Sequence, residues 1–165
     1  MVSIERTTGR LRLRPVRGAD LDAFVGLETA LRAREVPPRA APHRDESARF
    51  LDAFVRAWAD GPLGYWAVEC ADRVVGFGGV QPKEWRGQRC WNLYYRVDPG
   101  WWGRGIATEV AREAIAAGAE ARPGWPVLVE TRPGNTAAIR VAERAGLVRQ
   151  DARPGDEYAV LLLRS

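Results

Sequence analysis

The sequence predicts one mixed α/β domain over residues 1–165, with helices on both faces of a mostly antiparallel sheet of about seven strands. Three observations carry this. Residues 65–70, 74–80 and 90–97 are apolar runs rich in β-branched and aromatic side chains, joined by short connections as in an antiparallel meander. The third run leads through Asp98-Pro99-Gly100-Trp101-Trp102-Gly103-Arg104-Gly105 into an alanine-rich helical pattern. A further apolar run at 127–131 leads through Arg132-Pro133-Gly134-Asn135, a turn, into another helix.

Taken in order, a strand is expected at 11–14, then a helix from Asp20, a suitable N-cap, to about Arg34. Pro37, Pro38 and Pro42 interrupt the chain. Asp45 can cap a second helix whose Phe50, Leu51, Phe54, Val55 and Trp58 share a core-facing stripe and which Asp60-Gly61-Pro62 ends. The three meander strands follow. Beyond the glycine loop, Ile106, Val110, Ala114 and Ile115 give a third helix its apolar face, and Pro123 lies past its end. A fourth helix is expected at 136–145, closed by Gly146, and strands at 147–153 and 158–163 flank a Pro154-Gly155-Asp156 turn.

Composition excludes several function classes. With 165 residues, 46% hydrophobic and 28% charged, the chain can bury a real core as one domain. No window nears eighteen consecutive apolar residues, and Met1-Val2-Ser3-Ile4-Glu5-Arg6 lacks the apolar core of a secretory signal, so a soluble, cytoplasmic chain is expected, with no membrane partner. Cys70 and Cys90 fall in strand patterns and read as buried thiols. One histidine, His43, supports neither a metal cluster nor a Cys-His pair, which argues against metal and against a covalent acyl-enzyme. The formal charge of +4 comes from arginines interleaved with acids rather than from a dense block, so it reads as a solvated surface and not as a nucleic-acid site. That bias can still steer an acidic ligand.

The glycine loop is the strongest chemical signal. Glycines 103 and 105 let backbone approach a ligand closely, and the first amides of the next helix point a positive dipole end outward, which suits an anion such as phosphate. No Gly-Lys-Ser/Thr closes a P-loop, and Thr108 stands where a dinucleotide fingerprint needs its third glycine. The bland alternative is a tight strand-to-helix turn.

The D-P-x-x-x-G-x-G loop, the Asn135-Thr136-Ala137-Ala138-Ile139-Arg140-Val141-Ala142 helix start and the Arg144-Ala145-Gly146-Leu147 ending together resemble the GCN5-related N-acetyltransferase family, most closely its RimJ/RimL-like branch. Arg10-Leu11-Arg12-Leu13-Arg14-Pro15-Val16-Arg17-Gly18-Ala19-Asp20 and Val74-Val75-Gly76-Phe77-Gly78-Gly79-Val80 extend the likeness over nearly the whole chain. Gly100 departs from it, standing where glutamine or arginine is common. The resemblance implies a single acyl-CoA N-acyltransferase domain, with acetyl-CoA as cofactor and its pantetheine arm in a gap between the strand ending at Val97 and the strand starting at Val127. It implies unpaired amides near Arg96 and Val97 for the arm, and Trp102, Gly103, Arg104, Gly105, Ile106, Ala107 and Thr108 for the pyrophosphate. Asn135, which can equally cap the helix, matches an asparagine that reaches the arm, with Arg140 one turn on. The implied partner is a small-molecule amine or a protein N-terminus, and the chain is compatible with a homodimer.

The expected acid and base are missing. The resemblance would place a tyrosine at 142 or a serine at 138, and a glutamate at 92; the chain has Ala142, Ala138 and Asn92. A thiol of pKa about 8.5 leaves acceptably as thiolate, and acid–base assistance is worth about 10²–10⁴-fold, so positioning can carry much of the rate. Asn92 and Tyr94, on one strand face, are the catalytic candidates, Asn92 through an ordered water. Tyr95, Glu84, Glu130 and Tyr158 are further candidates, each as readily a packing or solvated residue. Trp85, Trp91, Trp101 and Trp102 either pack in the core or wall an acceptor mouth. A non-catalytic acyl-CoA-binding module is the alternative to an enzyme.

Overall fold

The apolar runs of the sequence become paired strands. The computed structural model describes residues 3–164. In chain order these contain β1 (Arg6–Thr7), β2 (Leu11–Pro15), α1 (Leu21–Arg32), α2 (Arg44–Asp60), β3 (Tyr65–Cys70), β4 (Arg73–Trp85), β5 (Gln88–Val97), α3 (Ile106–Ala121), β6 (Val127–Thr131), α4 (Thr136–Arg144), β7 (Val148–Arg149) and β8 (Ala159–Leu163). Eight strands form one sheet in the order β1-β2-β3-β4-β5-β6-β8-β7. Every neighbouring pair is antiparallel except β5 with β6.

The parallel pair is the break in the sheet. It is registered only at Trp91 with Val127 and Asn92 with Leu128, so beyond Leu93 β5 leaves β6 and a gap opens toward the end of both strands. On the far side β5 stays paired with β4 along its whole length, Gln88 to Val97 against Trp85 to Gly76. The gap is therefore an opening between two supported strands, with no loose strand beside it.

Helices cover both faces, as the patterning predicts. Phe24, Leu27 and Leu51 of α1 and α2 pack on Ala67 and Phe77, while Ile106, Val110, Ala111 and Ala114 of α3, with Ile139 and Ala142 of α4, join Trp66, Trp91, Leu93 and Val97 on the other face. Glycine makes the α3 packing close: a Cβ on Gly78 would lie 2.8 Å from Val110 Cγ1 and 2.8 Å from the Tyr94 carbonyl. Trp66 and Trp91 are fully buried, and both indole N–H groups are satisfied, by the Ile4 carbonyl at 2.9 Å and the Gly118 carbonyl at 3.0 Å.

Several boundaries differ from the sequence reading, each for a physical reason. The β4–β5 hairpin continues past Val80 to Trp85 because polar residues on alternate positions still pair along the ladder. The strand expected at 147–153 shortens to Val148–Arg149, and two residues at Arg6–Thr7 add an eighth strand at the opposite edge. Asp45 lies inside α2, which starts at Arg44 after His43. Asp20 sits at the N-cap of α1 but makes no cap bond there. Its carboxylate instead accepts from the Arg17 amide at 2.8 Å and from Arg14 Nη1 and Nη2 at 2.9 and 2.8 Å. Arg14 Nε also donates to Glu69 at 2.6 Å, so one buried guanidinium ties β2, the α1 entry and β3 together.

Candidate active site

The loop after β5 starts with a compact turn. Asp98 accepts from the Gly100 amide at 2.8 Å, and the Trp101 and Trp102 amides bond back to Asp98 and Pro99 at 2.8 and 3.2 Å. The chain then passes through two left-handed residues, Gly103 at φ 76° and Gly105 at φ 74°, and enters α3. The first helical bond is Glu109 N–H to the Gly105 carbonyl. Six successive amides, residues 103–108, thus find no acceptor among the described residues. Where a Cβ on Gly103 would project there is nothing within 4 Å. Unpartnered donors, a helix N-terminus and open space in front of them form an anion cradle.

The expected loop residues therefore divide. Gly103, Arg104, Gly105, Ile106, Ala107 and Thr108 offer free amides, whereas the Trp102 amide closes the preceding turn. The Trp102 indole donates to the Val97 carbonyl at 2.8 Å, holding the half-exposed ring beside the end of the gap. Arg104 stacks over Trp101 with its guanidinium carbon 4.7 Å from the ring, which keeps a cation at the rim of the cradle.

Glu109, in the first turn of α3, would repel an anion there. Arg10 neutralises it at 2.8 Å, Thr8 hydrogen-bonds it, and Arg10 also donates to the Arg104 carbonyl at 2.5 Å, so the turn between β1 and β2 pins the loop. Arg10→Ala is expected to weaken CoA binding by roughly 2- to 5-fold, the worth of one terminal charge, and adding Glu109→Gln should restore it. A calorimetric double-mutant cycle checks this; no recovery in the double variant would contradict the neutralising role.

Alternation along β5 sets what faces the gap. Trp91 N–H points to the Pro126 carbonyl on the β6 side, and Asp98 N–H points to the Val75 carbonyl on the β4 side. Under the period of two, the Leu93 amide closes the last bond of the β5–β6 pair, the Tyr95 and Val97 amides beyond it face the gap, and the Arg96 amide is turned toward β4. Arg96 acts instead through its side chain, which donates to Glu28 of α1 at 2.6 Å. Tyr95, on the α3–α4 face, reaches across to donate its hydroxyl to the Ala138 carbonyl at 2.6 Å, so β5 and α4 are bridged at one of the two alanines that replace the expected acid. Ala142 is fully buried.

Asn135 caps α4, its Oδ1 accepting from the Ala138 amide at 3.2 Å, and this leaves its NH2 group for another partner. Arg140 is exposed on α4, with no ion pair among the described residues.

Asn92 and Tyr94 face the α1–α2 side, where the sequence did not reveal their partner. Asn92 Nδ2 donates to the Tyr65 hydroxyl at 2.7 Å, and the Tyr65 and Tyr94 rings stack 4.7 Å apart under the edge of Phe54. Tyr65 comes from β3 across Gly79, a contact two strands away that no local pattern signals. Burial pushes the Tyr65 phenol up to about 12 and the Tyr94 phenol higher still. Both rings thus donate or position and do not act as bases. Tyr65→Phe and Tyr94→Phe should leave the shape of the pH–rate profile unchanged, and the disappearance of its basic limb in either variant would contradict that assignment.

A carboxylate of β6 flanks the gap on this face. Glu130 lies two residues beyond Leu128, the last β6 residue registered with β5, and pairs with Lys83 of β4. Below it a pocket of about 360 Å³ is lined by Trp85, Tyr158, Asp156 and Glu157 among others, with Arg86 stacked on Trp85 at 4.4 Å. The four tryptophans around the loop thus separate: Trp91 is core, Trp101 and Trp102 belong to the loop, and Trp85 alone of the four lines this pocket.

A family model described as an acetyltransferase (GNAT) domain matches residues 10–148. The chain belongs to the GNAT acetyltransferase family. Among solved structures similar to this GNAT chain are an acetyltransferase from Agrobacterium tumefaciens (TM-score 0.81, 20% identity, 100% of this chain and 96% of that one) and a GnaT-family acetyltransferase from Bordetella pertussis (0.77, 23%, 96% and 96%). RimL, a ribosomal L7/L12 alpha-N-protein acetyltransferase solved with coenzyme A, is similar at a TM-score of 0.75 and 16% identity over 98% of this chain and 94% of that one. These likenesses agree with a fold of the RimJ/RimL-like branch. The uncharacterized protein YkkB of Bacillus subtilis is 33% identical over 73 residues, a stretch that spans 44% of this chain and 42% of that protein. Among the described residues no helix is long and apolar enough to cross a membrane, and no group of three or more metal-ligating side chains forms.

Proposed function

We propose that this GNAT chain moves an acetyl group from acetyl-CoA directly to a primary amine, on a small molecule or a protein N-terminus, within a ternary complex. The observation that carries the reading is the row of free amides at 103–108 leading into a strand gap whose edge amides, Tyr95 and Val97, lie beyond the last β5–β6 pairing. The pyrophosphate would lie on the row and the pantetheine arm in the gap, with Asn135 and Arg140 of α4 beside it. Acetyl-CoA supplies an acetyl group already activated as a thioester.

The protein's part is then to exclude water, hold an amine in line with the carbonyl and take its proton. Holding two reactants in a near-attack geometry can supply about 7–11 kcal/mol of the barrier. The amine would arrive from the α1–α2 face, over the Tyr65–Tyr94 stack, with Asn92 ordering a water and Glu130 as the proton acceptor. Alanines at 138 and 142 leave the departing sulfur without a side-chain acid there, which a thiolate tolerates.

The test is thiol release from acetyl-CoA over a panel of amines and short peptides, with initial velocities measured against both substrates. Intersecting lines are expected for a ternary complex; parallel lines would mean a covalent acetyl-enzyme. Tight acetyl-CoA binding with no amine-dependent thiol release would contradict the transfer itself.

A further inference from the structure

The chain contains a single lysine, Lys83, and its placement is specific. Lys83 lies on β4 opposite Cys90 of β5, two residue pairs past Gln81 and Asn92 and on the same face. Its ammonium crosses the α1–α2 face of β5 and pairs with Glu130 of β6, the strand on the other side. Since β5 and β6 part just beyond Asn92 and Leu128, and Glu130 is two residues further on, the carboxylate that holds the amine stands beside the start of the gap. The two side chains keep 35% and 29% of their exposure, so the pair is accessible rather than structural core. A pair this exposed contributes about 0–1 kcal/mol to stability, too little to account for the only lysine being held there.

An amine against a carboxylate, at the place where an acyl acceptor must enter, has the form of a bound substrate. We propose that Lys83 occupies the acceptor-amine position in the free protein and is itself acetylated by bound acetyl-CoA when no other amine displaces it. The inference rests on the proposed transfer to amines. The Lys83 ammonium gives one proton to the Glu130 carboxylate, and the free Nζ attacks the thioester carbonyl. A C–N bond forms, the C–S bond breaks, and the sulfur takes the second proton from nitrogen as CoA leaves with a free thiol. Glu130 then releases its proton to water. The product amide carries no charge, so Glu130 loses its internal cation and is available to the ammonium of an external acceptor.

Two readouts test this on the whole chain. In the first, N-acetoxysuccinimide labels Lys83, and saturating CoA should slow that labelling several-fold because the thiol end comes to lie beside the amine; an unchanged rate would overturn the placement. In the second, acetyl-CoA is added with no acceptor and the chain is mapped by mass spectrometry. One acetyl group is expected on Lys83, suppressed by an excess of any amine that turns over, absent in Lys83→Arg, and slower by about 10²-fold in Glu130→Gln, the lower end of what general base assistance supplies. An unmodified Lys83 in a protein that acetylates external amines would overturn this inference alone. An unmodified Lys83 with no amine acetylated would overturn the transfer reading as well.

Discussion

Gly103→Val and Gly105→Val are each expected to weaken acetyl-CoA binding by about 10²-fold while the sheet survives. Both glycines sit at positive φ, 76° and 74°, which costs an L-residue roughly 1–2 kcal/mol and a β-branched one more. Relief of that strain would rotate the peptide units of the cradle. Each charge-assisted bond from an amide to a phosphate oxygen is worth about 1.5–3 kcal/mol, so losing one or two accounts for the fall. At Gly103 the new side chain also enters the open space in front of the amides; at Gly105 it meets Arg10 Nη2, 3.8 Å from the ideal Cβ, the group that pins the loop. Calorimetric titration with far-ultraviolet circular dichroism separates the two readings. A folded variant with native affinity would remove the cradle assignment.

The largest expected effect on stability is at Arg14 and Asp20. Their side chains are 8% and 7% exposed and paired through two hydrogen bonds, and removal of one partner of such a buried pair typically costs about 3–5 kcal/mol. Asp20→Ala should therefore lower the urea midpoint strongly, and Arg14→Ala should do so as well, since it strands two carboxylates, Asp20 and Glu69. The pH dependence has a definite sign. Burial alone pushes the Asp20 carboxyl up, but the Arg14 guanidinium and the Arg17 amide outweigh it and hold it below its ordinary value. A carboxyl with a depressed folded-state pKa contributes stability that is present above its unfolded value, about 3.9, and lost as pH falls through the folded one. Acid unfolding should thus be less steep in Asp20→Asn below pH about 4. An unchanged acid limb would show that the pair is not the titrating element.

What could be read before the structure was what local pattern encodes. The meander, both strand-to-helix loops and all four helices follow from periodicity, caps and Gly/Pro punctuation, and Gly103 and Gly105 take the left-handed conformation that only glycine adopts without strain. Element ends were less legible. Whether 81–85 stays in a strand depends on the ladder to residues 88–92, and whether 150–153 leaves one depends on the short reach of β8.

The site was legible where it is backbone and obscure where it is side chains from distant elements. The amide row follows from two glycines before a helix. That the Arg96 amide faces β4 follows only from the pairing of Trp91 and Asp98 on either side. Tyr65 reaches Asn92 because Gly79 carries no side chain between them, and Lys83 reaches Glu130 because a single strand separates β4 from β6 where the sheet begins to open. These contacts have sequence separations of 27 and 47 residues, beyond any helical or strand period.

The backbone amide NMR spectrum recorded during titration with CoA tests the central claim most directly. The largest shifts should fall on residues 103–108, with a second set at Tyr95 and Val97 along the gap edge and smaller changes on the β1–β2 edge of the sheet. Saturable binding that leaves 103–108 unmoved while shifting residues elsewhere would contradict it.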